Sequence, residues 1–165
     1  QGYLEENAFI SAIKKVPLPD FKKLQDAYKK AQLKYASYGI TTVQEGIIAK
    51  ELIPIYEGLL NSNSFMLDVV GYAGIEDAEK IYGVFSENIN EYNNNFRLGG
   101  YKIFLDGSPQ GRTAWMRTPY MNSSNEFGNP TMNDEDVKNA VLKAAVSKRQ
   151  LLAYCNGDAA SDQFI

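Results

Sequence analysis

The sequence predicts an α/β fold in which parallel strands are joined by helical crossovers, about four strand-helix units in all. Three observations carry this. Short apolar runs alternate four times with stretches of helical period. No tight turn of the Asn-Gly type joins one apolar run directly to the next, as a hairpin would require. The run FMLDVVGY, Phe65 to Tyr72, is apolar on both alternating faces, as in a strand covered by helices on one side and a second layer on the other. Doubly wound sheets and closed barrels both satisfy this pattern.

The first element is a helix between Asp20 and Tyr38, with Phe21, Leu24, Tyr28, Ala31 and Tyr35 on one stripe, lysines opposite, Asp20 as its cap and Gly39 as its stop. The β-branched run ITTV follows, giving a strand near Ile40 to Gln44 that leads into Glu45-Gly46, and then a helix from about Ala49 to Leu60. After the strand Phe65 to Tyr72 comes a helix from Glu76 to about Ile89, then a polar loop, Asn90 to Asn95, and the pair Gly99-Gly100. YKIFLD, Tyr101 to Asp106, is the third strand, and the longest irregular stretch runs from it to Pro130. The helical pattern Asn133 to Arg149 has acids in its first turn and bases in its last, matching the helix dipole. LLAYC, Leu151 to Cys155, is the fourth strand and enters NGDAASD.

Composition narrows the function. With 17 basic and 20 acidic residues the net charge is -3, so no basic field exists to attract nucleic acid or anionic lipid. No run approaches the roughly 18 apolar residues of a membrane span. The single cysteine, Cys155, fits a reducing compartment, with the cytoplasm as the default. Histidine is absent, which removes the commonest metal ligand and the commonest general base, and with them any Ser-His-Asp or Cys-His arrangement. No phosphate-binding glycine fingerprint is present.

In parallel α/β folds ligands bind at the loops after the strands' C-terminal ends. Those loops are QEG, with Gln44, DGSPQGRT, with Asp106 and Arg112, and NGDAASD, with Asn156 and Asp158. Taken singly, such residues more often make turns and helix caps than sites. On the third strand, alternation places Lys102, Phe104 and Asp106 on one face, and a mid-strand ammonium turned inward requires a partner or a task. Trp115, in the loop beyond, is the aromatic placed nearest a pocket. Asp134, Glu135 and Asp136 are read as a helix N-terminus and not a catalytic cluster.

GITTVQEG, YKIFLDGSPQGRTA with its tail TPY, and YCNGDAASDQ resemble successive strand ends of the amidohydrolase superfamily, in the branch of N-substituted formamide deformylases and YtcJ-like hydrolases; GYLEENAF is similar to the segment before the second barrel strand there. The resemblance implies part of a TIM-type (β/α)8 barrel, whose full form needs roughly 250 residues. It also implies a divalent ion, zinc by expectation, that activates water against the C-N bond of a small amide or cyclic amide. It places Lys102 at a lysine that becomes a metal ligand when carboxylated, and Tyr154 where the family pattern HCNGDAA has a metal-binding histidine. Gln44, Asp106, Arg112, Trp115, Asn156 and Asp158 would then line the substrate pocket.

A phenol substitutes poorly for imidazole at neutral pH. The alternative implied by Tyr154 is a degenerate barrel that binds a small ligand without turnover. Since no start methionine is present and the chain stops at Phe164-Ile165, residues 1-165 are expected to be an internal piece of a larger barrel domain, inactive alone and prone to self-association through open sheet edges.

Overall fold

The computed structural model describes residues 2, 12, 15–17 and 19–165. Apart from Gly2, the segment GYLEENAF lies outside the described residues. The elements run α1 (Phe21–Ala36), β1 (Thr42–Ile48), α2 (Ile53–Asn61), β2 (Asp68–Gly74), α3 (Ala78–Val84), β3 (Phe96–Phe104), α4 (Asp134–Val146), β4 (Gln150–Tyr154) and α5 (Asp158–Phe164). The four strands are parallel and lie in the order β1-β2-β3-β4, as the alternation of elements requires. Among the described residues no helix is long and apolar enough to cross a membrane.

Among the described residues the chain divides into two compact units, one of Pro19–Lys102 with Leu142–Leu152, the other including Ile103–Val141 and Ala153–Ile165. The first holds the main apolar core. Tyr56 and Phe96 each stack near Phe65, with ring centroids 6.2 and 5.5 Å away, and Phe85 meets Phe96 edge-on at 5.5 Å. Ile48, Leu59, Ile81 and Leu98 close around them with no exposed surface.

Helix α1 begins as its sequence dictates, with the Asp20 carboxylate accepting from the Lys23 N–H at 3.0 Å. It stops where Gly39 takes a φ of +76°, so that the Ile40 and Gly39 amides reach back to the Tyr35 and Ala36 carbonyls at 3.2 and 2.9 Å. The apolar stripe is corrected: Phe21 is 39% and Tyr35 49% exposed, and the buried residue is Gln32, at 4%. The helix rests on the polar turn that precedes β2. Its innermost position therefore meets unpaired backbone groups, which an amide satisfies and an aromatic ring does not.

Gln32 also explains where β2 begins. Its side-chain oxygen accepts from the Met66 and Leu67 amides at 2.6 and 3.1 Å, and its amide donates to the Ser64 carbonyl at 2.9 Å. The first amide free to join the ladder is that of Asp68, which donates to the Thr41 carbonyl at 3.0 Å. The strand expected from Phe65 thus starts three residues later and runs on to Gly74, and its five central residues are buried as expected.

The third strand also begins earlier than its sequence suggests, at Phe96 instead of Tyr101. The pair Gly99-Gly100 reads as a loop but is strand with a bulge: Gly71 pairs with Leu98 while the next residue, Tyr72, pairs with Gly100. The extra residue reverses the alternation, so the buried residues are Phe96 and Leu98 before the bulge and Tyr101 and Ile103 after it. Asn88, itself buried, donates to the Asn93 and Phe96 carbonyls at 3.0 and 2.9 Å and fixes the asparagine turn that feeds the strand.

Candidate functional site

The strand-end loops of the second unit are built around Asp106. Strand β3 ends at Phe104, so Asp106 is outside the alternation that was expected to place it with Lys102. Its side chain turns into its own unit, 3% exposed. One carboxylate oxygen accepts the Asn156 amide at 2.9 Å, and the other accepts the amides of Trp115, at 2.9 Å, and Gly157, at 2.6 Å. Asp106 is therefore the anchor of the loops and not a pocket-lining group, because its lone pairs are directed at backbone donors.

Three other expected site residues gather around that anchor. The Asn156 side-chain amide donates to the Gly107 carbonyl at 2.8 Å. The Asp158 carboxylate accepts from the Arg117 amide at 2.8 Å and from Ala159 at 3.0 Å, at the first turn of α5. Trp115, half-buried, presents its backbone carbonyl to the turn after β4, and a methyl group at Gly157 would overlap that carbonyl. Glycine is required there by this close approach.

Arg112 is not part of the gathering; it is exposed, in the left-handed region at φ +54°, and pairs with Glu126 at 2.6 Å. Two participants escaped the sequence reading. Arg117 pairs through its guanidinium with Asp162 of α5, which holds the Asp162 carboxyl below its ordinary value. Tyr120 donates to the Ala114 carbonyl at 2.8 Å, and burial, then the Asp106 charge, raises its phenol above the ordinary range. Tyr120 lay in the tail TPY but was given no role there, and the only signal for Arg117 was its place in a long polar loop after a strand, which does not distinguish one residue from another.

Tyr154 ends β4, is 40% exposed, and meets the ring of Phe104 edge-on at 5.5 Å. Phe104 is exposed to a similar degree, 39%, so the two rings are adjacent and partly exposed at the ends of β3 and β4.

In the first unit, Lys102 is half-buried on β3, on the face opposite Tyr101. Gln44 is not in a loop: it is the exposed third residue of β1, paired with Val70. Its neighbour Glu45 is the more engaged. The Glu45 carboxylate accepts from the Tyr56 hydroxyl at 2.5 Å, which in turn accepts from Tyr28 at 3.0 Å, and burial raises both phenols.

Among the described residues the donor set does not make a metal site. There is no histidine, and among the described residues no three Cys, Asp or Glu side chains are placed to hold an ion. An ammonium offers no lone pair unless deprotonated or carboxylated, and the Asp106 oxygens are engaged by backbone donors.

A sheet of four parallel strands joined by helices, with polar loops beyond the strand ends, defines the class: an α/β fold of the partial barrel type. The amidohydrolase family profile matches residues 1–165, and the chain belongs to that family. Over 68 residues, 41% of this chain and 12% of the relative, it is 32% identical to Protein LONG AFTER FAR-RED 3 of Arabidopsis thaliana. Among solved structures it is similar to an uncharacterized metal-dependent hydrolase from Pyrococcus horikoshii OT3, with a TM-score of 0.76 and 21% identity over 97% of this chain. A second, from Pyrococcus furiosus, gives 0.74 and 21% over 96%. The chain spans 33% and 34% of those structures, and 12% of the plant protein. The structural likeness shows the fold, part of a TIM-type barrel.

Proposed function

We propose that this chain is the strand-bearing part of a hydrolase that cleaves C-N bonds of small amides or cyclic amides, in the branch resembling N-substituted formamide deformylases and YtcJ-like hydrolases. The family match over residues 1–165 is the observation that carries this reading. The anchored loops beyond β3 and β4 support it, since they occupy the position where barrel enzymes bind substrate. In the hydrolysis, the acyl C-N bond breaks, the oxygen of a water joins the acyl carbon, and its proton leaves with the amine.

In this reading the whole protein binds a divalent ion, zinc, with most ligands from outside this chain and one from Lys102 carboxylated by CO2. The isolated chain would keep Lys102 uncarboxylated and be inactive. Of the residues present, Trp115 and Asn156 are held at the strand ends by their backbones, leaving the indole and the amide oxygen for substrate. The Tyr154 and Phe104 rings offer it an apolar wall.

The test is Lys102→Ala in the full-length protein, with metal content by elemental analysis and turnover on a panel of N-substituted and cyclic amides. Loss of metal together with at least a hundredfold loss of turnover is expected; retention of both refutes the role of Lys102. The second reading, a barrel that binds a small ligand without turnover, is favoured by Tyr154 and the absence of histidine. Metal-free full-length protein that binds amides without hydrolysing them would establish it.

A further inference from the structure

The two strand-end loops of the second unit are tied by more than the Asp106 carboxylate. Besides its bonds to Trp115 on one loop and to Asn156 and Gly157 on the other, Asn156 reaches back to Gly107, Arg117 reaches forward to Asp158 and Asp162, and the Ala160 amide donates to the Trp115 carbonyl at 3.4 Å. One oxygen serves both loops: Oδ2 accepts from Trp115 and from Gly157. Neither loop therefore opens without removing a partner from the charge that holds the other, and a buried carboxylate with a lost donor is poorly tolerated.

We propose that Asp106 is a positioning residue that couples the loop after β3 to the loop after β4, so that Trp115 and Asn156 are held or released together. A ligand that fixes one loop then orders the other. The proposal goes beyond the hydrolytic reading and does not depend on turnover, because its test reads the chain itself.

In the isotopically labelled chain, hydrogen exchange of the Trp115, Asn156 and Gly157 amides is measured in the wild type. The expected result is one shared opening free energy for all three, since opening of either loop takes a donor from the same carboxylate. Two independent local caps would open with separate free energies.

In Asp106→Asn, hydrogen exchange is expected to rise at least about tenfold in both loops while β2 amides keep their protection. Gly157→Ala, whose methyl group would overlap the Trp115 carbonyl, parts the two loops directly and serves as the open reference for Trp115 emission. If Asp106→Asn does not fold, the wild-type exchange still decides. Separate opening free energies for the two loops in the wild type, or an Asp106→Asn chain in which exchange rises in one loop only, overturns the coupling.

Discussion

Replacing Gln32 by alanine is expected to destabilise the first unit by about 2–4 kcal/mol, although the residue sits on a helix that looks ordinary in sequence. The magnitude follows from its partners. The Leu67 amide is buried, and losing the Gln32 oxygen leaves it unsatisfied, which costs about 1–3 kcal/mol. Met66 is 47% exposed, so water replaces part of its lost bond, and the Ser64 carbonyl loses a donor; each adds at most about 1 kcal/mol. With a urea slope of about 2 kcal/mol/M, the midpoint should fall by roughly 1–2 M. The direct readout is hydrogen exchange at Met66 and Leu67, which should accelerate well before the β3 amides. Gln32→Glu retains an acceptor for both amides but loses the donor to Ser64 and buries a charge, so it too should destabilise. A Gln32→Ala chain within about 0.5 kcal/mol of wild type, with Leu67 still protected, would refute the claim that this side chain sets the start of β2.

Tyrosine titration gives a second check: burial pushes the Tyr82 phenol up to about 12, so its ultraviolet transition should lag behind those of the exposed tyrosines. Because the folded value exceeds the unfolded one, the stabilisation is complete below about pH 10 and declines as pH rises towards 12; a Tyr82 that titrates near 10 in the folded chain contradicts its burial. Self-association is the third expectation, since β1 and β4 are the edges of the sheet and Phe104 and Tyr154 are 39% and 40% exposed. Sedimentation that shows a monomer at all concentrations, without binding of an apolar dye, would count against open edges.

Where a residue's environment is set by its near neighbours, the sequence was enough. Asp20 and Gly39 bound α1 because a cap and a left-handed stop involve only the adjoining turn. The acids at the start of α4 and the four apolar runs were legible for the same reason, since helix dipole and strand period repeat over a few residues. Seven-residue α5 was read as loop, because so short a stretch carries too little periodicity to announce a helix.

The tertiary structure decided whatever depends on groups distant in the chain. Strand ends belong to this class: β2 starts at Asp68 because Gln32, more than thirty residues earlier, takes the two amides before it. In β3, a glycine pair that local rules assign to a turn became a bulge once β2 lay beside it and fixed the register. Lys102 was placed by alternation, but Asp106 was not, because alternation ends with the strand. The donors that turn Asp106 into an anchor lie 9, 50 and 51 residues further on, and only the folded chain brings their amides to one carboxylate.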